Sequence, residues 1–308
     1  MSNPLISVVM NCYNGEKYLR EAIDSVCQQT YTNWELVFWD NQSKDRSAEI
    51  VRSYADPRIR YLLAPEHTTL GGGRRRAVNE CRGEFISFLD TDDLYLPENL
   101  ARKLEFIERE EAGMVYGGVI YINEAGEERR RRLPHHRSGM VLRGMLQQFE
   151  TDIPTMMIRR SALEARKLNF DDRIQGSEEF DLLAQLAVTE RCSVVPEYLA
   201  KLRHSRSSLT YAVMEKWAPD RLLTLSKIVQ QHPNIEAQYP TAFREARARA
   251  EYYRARWLVD AGRPGEALAV IRTVKSAGWR YLCLHLALRI SPACWNLVHR
   301  FLPSSRML

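Results

Sequence analysis

The chain has 308 residues, enough to bury a substantial core in one large domain with a smaller one beside it. Composition is that of a soluble protein, 45% hydrophobic and 27% charged, and a net charge of +5 with a pI near 8.9 is too weak a bias to imply nucleic acid as a partner. The six cysteines (Cys12, Cys27, Cys81, Cys192, Cys283 and Cys294) are scattered without a C-x-x-C pair, which argues against a disulfide frame or a zinc site.

"MSNPLISVVMN" lacks the basic flank and long apolar core of a signal peptide, and no segment approaches the ~20 apolar residues of a membrane span. The expectation is a cytoplasmic protein, at most peripheral at the inner face of a membrane. The basic runs Arg74–Arg76 and Arg129–Arg132 read as solvated surface unless their neighbourhood argues otherwise.

In chain order, "LISVVMN" (5–11) is a short apolar, β-branched run, the mark of a buried parallel strand. "LREAIDSVCQQ" follows with apolar residues at helical spacing. "WELVFWD" (34–40) predicts a second strand, and "SKDRSAEIVRSYA" (43–55) a helix capped by its first serine. "IRYLLA" (59–64) is a third strand, "GRRRAVNECRG" a helix, and "EFISFLD" (84–90) a fourth strand. This alternation predicts an open α/β sheet with helices on both faces. Ligands of such sheets bind beyond the carboxyl ends of the strands. Asn11, Asp40 and Asp90 stand at those ends, and their coincidence exceeds what capping explains.

After 114 the pattern changes. "MVYGGVIYINEAGEERRRRL" predicts two strands around a turn, and "IPTMMIRRSALEAR" (153–166) a strand entering a helix. "GSEEFDLLAQLAV" (176–188) predicts a helix with Ser177 as its N-cap and acids in the first turn. Beyond about 212 the chain reads as all helical, with two amphipathic helices around "AGRPGEA" and no second copy of that unit. "GWRYLCLHLALRISPACWNLVHRFL" (278–302) mixes aromatics, Leu and Arg at helical spacing. Core packing on the catalytic domain and contact with a membrane surface are its two readings.

"GEFISFLDTDDLYLPENL" (83–100) sets Asp90, Asp92 and Asp93 at the end of an apolar run. A capping turn is the plain reading. Clustered carboxylates become favourable, however, when a hard divalent cation sits between them.

These motifs carry a resemblance. "ISVVMNCYNGEKYLREAIDSVCQQTYTNWELVFWDNQSKDRS" resembles the opening of the family 2 glycosyltransferases, inverting enzymes of the GT-A fold that use nucleotide-diphosphate sugars, and "FLDTDDLYLPENL" resembles their Asp-x-Asp block. The resemblance spans roughly 4 to 210. It implies a catalytic GT-A domain over 1–211, with a mostly parallel sheet, followed by a helical region over 212–308. By this resemblance Tyr13 and Asp40 hold the uracil ring, and Asn11, where many members have Pro or Thr, lies in the same pocket. Asp90 contacts the ribose. Asp92 binds Mn²⁺ or Mg²⁺ bridging the diphosphate, and Asp93 shares either task. Glu179 matches the catalytic base, normally Asp, so the choice between Glu178 and Glu179 rests on the motif alignment, and Asp181 takes a structural role. Arg74 fits an Arg near the diphosphate, while Arg75 replaces the family's Asn. His204, in "YLAKLRHSRSSLT", is a third metal or phosphate contact. The implied partners are a UDP-linked sugar donor and a glycan or lipid-linked acceptor.

Other classes fit less well. A phosphatase using Asp90 as nucleophile expects Thr or Val where Leu94 stands, and a nucleotidylyltransferase expects a Gly-rich loop that "NCYNGEKY" does not supply. The alternative that stays open is an inactive sugar-nucleotide-binding scaffold, against which the retention of Asp40, Asp90, Asp92 and Glu179 together argues.

Overall fold

The computed structural model describes residues 3–204 and 213–301. The first four predicted strands form as β1 (Ile6–Cys12), β2 (Trp34–Asp40), β3 (Ile59–Leu63) and β4 (Phe85–Phe88), and β1, β2 and β4 are buried throughout. Between them lie α1 (Leu19–Cys27), α2 (Ser47–Arg52) and α3 (Leu70–Asn79). There follow β5 (Leu94–Tyr95), α4 (Asn99–Arg109), β6 (Met114–Ile122), β7 (Glu128–Arg132) and α5 (Leu142–Gln147). The last strands and their helices are β8 (Met157–Arg159), α6 (Arg160–Arg166), α7 (Glu178–Leu186) and β9 (Cys192–Arg203).

All nine strands join one mixed sheet in the order β3-β2-β1-β4-β8-β6-β9-β5, with β7 on β6. β1 pairs in parallel with both β2 and β4, and β2 pairs in parallel with β3. β8 is antiparallel to both β4 and β6, and β9 runs parallel to β6. The chain steps outward from β1 to β3, then returns to place β4 on the other side of β1. That reversal opens a crevice at the carboxyl ends of β1 and β4.

Alternate side chains of β1 serve opposite faces. Ile6, Val8 and Met10 pack with Leu19 and Ile23 of α1, Ile50 of α2 and Ile107 of α4 in one core cluster. Asn11 faces α3, where a Cβ on Gly73 would lie 2.5 Å from its amide oxygen, so only glycine lets the helix approach this closely. Helices therefore cover both faces, as the strand–helix alternation predicts.

Two boundaries differ from the sequence reading. β4 stops at Phe88, because Leu89 N–H closes a bond of 3.0 Å to Val9 O and the chain then turns. α2 begins at Ser47, not Ser43. Ser43 Oγ accepts the N–H of Asn14 (3.0 Å), and it is Asp45 that takes the N–H of Ser47 (3.0 Å).

The chain divides into two compact units. The first comprises residues 1–141, 150–173 and 185–208 and holds the sheet; the second comprises 142–149, 174–184 and 209–308. The second contains α5, most of α7, and α8 (Met214–Gln231), α9 (Ile235–Gln238), α10 (Pro240–Asp260), α11 (Pro264–Val274), α12 (Trp279–Ile290) and α13 (Pro292–Phe301). Tyr252, Leu258, Ile271, Leu284, Leu288 and Trp295 anchor its own core. No helix among the described residues is long and apolar enough to cross a membrane.

Candidate active site

The register puts the acid turn beside the end of β1. Val9 pairs with Phe88, so Asp90, two residues on, follows at the level of Asn11. Asp93 N–H bonds to Asp90 O (3.2 Å) and closes a tight turn. Arg74, buried on α3, donates to Asp90 Oδ1 at 2.6 Å. It is a buried partner of the first acid rather than a surface arginine, and a charge-assisted bond of this length fixes the carboxylate's orientation.

Asp92 is half-buried, and its pKa is pushed up to about 6 by burial and by the negative charge of Asp90. Asp93 is buried outright. Its Oδ1 accepts the backbone N–H of Arg203 at 2.8 Å, and burial, with Asp92 and Asp90 adding to it, raises its pKa well above the usual carboxylate range. Arg203 braces the same turn from below. Its Nε donates to Asp92 O (3.0 Å), a terminal nitrogen reaches Glu21 (2.8 Å), and the guanidinium lies 4.1 Å from the Tyr18 ring centre.

Tyr13 is 50% exposed, its ring 4.3 Å from that of His67. The loop that carries it is laced to the loop after β2: Lys44 N–H to Asn14 Oδ1 (2.8 Å), Gly15 N–H to Ser47 Oγ (3.1 Å) and Glu16 N–H to Asp45 Oδ2 (2.9 Å). Gly15 also abuts the acid turn, since a Cβ there would sit 2.8 Å from Thr91 Oγ1. Tyr13, the β2 turn and the acid turn are thus brought together.

Asp40 lies in this assembly but not as an open acceptor. It is 1% exposed, with Oδ1 taking Ser43 N–H (2.7 Å) and Oδ2 taking the Tyr61 hydroxyl (2.7 Å). That phenol is pushed up to about 12 by burial and by the bond to Asp40. Its carboxylate ties the β2 turn to β3, and each of its oxygens keeps a second lone pair. Asn11 differs. It is buried with its amide oxygen unpartnered, an acceptor waiting for a donor.

Asp92, Asp93 and His204 do not assemble as a three-ligand set. Among the described residues no group of three or more His, Cys, Asp or Glu side chains is arranged to hold a metal ion. His204 is stacked on Tyr121 with ring centres 5.1 Å apart; partial desolvation of its ring and the charge of Arg130 lower its pKa, against Asp152. Residues 205–210 of its stretch lie outside the described residues. The donor set still suits a hard cation in kind, being carboxylate oxygen only, with Asp92 resisting ionisation that a bound cation would favour.

The second unit carries the two glutamates at the start of α7. Glu178 is 3% exposed, whereas Glu179 is half-buried and reaches the surface. Asp181 is fully buried and accepts from Thr224 Oγ1 (2.8 Å) and Lys227 Nζ (2.7 Å), which makes it a structural tie to α8. The predicted Ser177 cap does not form. Its hydroxyl is buried without a partner, because the chain ahead of α7 is held by Asp220, which accepts the N–H groups of Gln175 (2.9 Å) and Gly176 (2.8 Å). Arg221 lies 4.4 Å from the Phe180 ring centre and close enough to Glu179 for their charges to interact.

Sequence reasoning missed His67 and Arg203. His67 sits in an unpatterned loop and gains meaning only through its contact with Tyr13. Arg203 ends a 12-residue strand, and no local motif marks it.

The Glycosyl transferase family 2 model matches residues 7–167, just over half of the chain. An uncharacterised glycosyltransferase of Methanocaldococcus jannaschii is 29% identical over 210 residues, covering 66% of this chain and 72% of its own. The Escherichia coli UDP-Glc:alpha-D-GlcNAc-diphosphoundecaprenol beta-1,3-glucosyltransferase WfgD is 33% identical over 123 residues, 40% of this chain and 49% of that relative, so the match spans about half its length. In fold, the chain is similar to S. aureus TarS 1-349 in complex with UDP-GlcNAc, with a TM-score of 0.72 at 18% identity over 96% of this chain and 90% of that one. It is also similar to the mannosyltransferase PcManGT of Pyrobaculum calidifontis in complex with GDP-Man and Mn²⁺, with a TM-score of 0.56 at 17% identity, over 96% and 88%. The chain belongs to glycosyl transferase family 2.

Proposed function

We propose that the protein transfers a sugar from a uridine-diphosphate donor to an acceptor hydroxyl, with inversion, in the assembly of a glycan or a lipid-linked saccharide. The observation that carries this reading is the acid turn at the β1/β4 switch point, where Asp90, Asp92 and Asp93 stand together and Arg74 holds Asp90 at 2.6 Å.

Asp92 is the residue assigned to a divalent cation. Asp90, oriented by Arg74, stands beside it for the ribose, and Asp93, engaged by Arg203, shapes the turn rather than reaching a ligand. Mn²⁺ or Mg²⁺ bound there supplies charge neutralisation to the departing diphosphate. The exposed ring of Tyr13, backed by the tilted ring of His67, offers a face for the base, and the buried amide oxygen of Asn11 lacks a donor that a hydroxyl or ring N–H would supply. Glu179, the more exposed of its pair, takes the proton of the attacking hydroxyl. A single displacement by the deprotonated hydroxyl inverts the anomeric centre. The acceptor of the E. coli relative, a diphosphoundecaprenol-linked sugar, supports a lipid-linked acceptor here.

The test is release of nucleoside diphosphate from a panel of UDP- and GDP-sugars with Mn²⁺. Turnover of a UDP-sugar that Asp92→Asn abolishes is the expected result; turnover of GDP-sugars alone overturns the uridine assignment.

A further inference from the structure

α12 has two apolar faces where a surface helix needs one. Leu284 and Leu288 are buried in the core of the helical unit. Trp279, Leu282, Leu286 and Ile290 are 64%, 44%, 48% and 75% exposed. At ~100° per residue these four fall within an arc of about 80° on the side away from Leu288. Arg280 and Arg289 border the arc, one on each side. Leu297 on α13, 53% exposed, adds to the apolar surface.

The charge of the segment that carries this stripe is of one sign, and the acid of a neighbouring helix that reaches α12 is Glu245, near Tyr281. From 267 to 308 the sequence contains no Asp or Glu and six Lys or Arg. Three of them, Lys275, Arg289 and Arg272, gather near His285, whose pKa is lowered by burial and by their charge. Exposed apolar patches of this kind mark interaction sites. A second copy of the chain laid on the stripe would set arginine rows against arginine rows, which opposes association. Acyl chains below and lipid phosphates at the borders satisfy both features.

We propose that α12 is an interfacial helix that seats the protein on an anionic lipid bilayer, with Trp279, Leu282, Leu286 and Ile290 inserted and Arg280 and Arg289 on lipid phosphates. This goes beyond the transfer reaction and does not rest on it, and its test reads binding, so its failure leaves the reading of the acid turn untouched.

The test is flotation of the full chain with vesicles of phosphatidylglycerol and phosphatidylcholine, against phosphatidylcholine alone. The expected result is flotation with the anionic vesicles, weakened by about ten-fold or more without phosphatidylglycerol or in Leu286→Glu/Ile290→Glu, as expected for losing a buried apolar pair. The substituted positions are exposed, so the variant should keep the wild-type melting temperature, which shows that it folds. Trp279→Phe should remove most of the blue shift in tryptophan emission on vesicle binding. Protein that stays in the soluble fraction with anionic vesicles overturns the proposal. So does flotation indifferent to the double substitution, or a dimer that the double substitution splits.

Discussion

Replacing Asp92 by Asn removes one negative charge from a turn that holds three acids. Burial and Asp90 raise the Asp92 pKa from 3.8 to about 6. At ~1.4 kcal/mol per unit, that gap of about two units means the ionised carboxylate costs the fold at most about 3 kcal/mol. Solvent screening of a half-buried group reduces this to about 1–2 kcal/mol. The sign follows from linkage. The folded pKa lies above the unfolded one, so the cost is present in full above pH ~6 and vanishes as pH falls below ~4. Without nucleotide or cation, Asp92→Asn should therefore melt about 2–5 °C above the wild type at pH 8, and the two should converge at pH 4. Circular dichroism melts at the two pH values measure this. A variant that melts below the wild type at pH 8, or a gain of equal size at both, refutes the reasoning.

Glu179→Gln should lower turnover by ~10²–10⁴-fold while donor affinity, read by calorimetry, stays within about two-fold. Glu178→Gln, at a buried position, should lower the unfolding midpoint and leave turnover per folded molecule nearly unchanged; an exchange of these behaviours would place the base one residue earlier. Tyr13→Ala should weaken uridine diphosphate about three- to ten-fold through loss of ring contact, with Asp92-dependent cation sensitivity retained. Arg203→Met should destabilise the protein by about 1–2 kcal/mol in urea denaturation, because it leaves the carbonyls of Asp92 and Glu124 without their donor, while the exposed Glu21 returns to water.

The catalytic sheet was legible because its strands are buried on both faces and read as unbroken apolar runs, "ISVVMNC" and "WELVFWD" among them. The position of the acid turn followed from the order of those strands. What escaped the sequence depends on contacts between distant segments. Ser43 and Ser177 look like helix caps locally, yet Asn14 claims one hydroxyl and the other is buried without a partner. The sequence does not show that Asp40 is also tied to Tyr61, 21 residues on, and to Ser43. The choice between Glu178 and Glu179 turns on which face of α7 is covered, and only packing decides that. The tail 278–302 read as either core or surface, and α12 presents an apolar face to each.

The central claim is that Asp92 brings a divalent cation to the diphosphate of a bound nucleotide. Calorimetry of uridine diphosphate binding, with Mn²⁺ and then with EDTA, on wild type and Asp92→Asn, tests it most directly. The account predicts at least about ten-fold tighter binding with Mn²⁺ in the wild type, equivalent to ~1.4 kcal/mol, and little or no gain in the variant. Equal wild-type affinity in Mn²⁺ and EDTA, or an undiminished gain in Asp92→Asn, would contradict it.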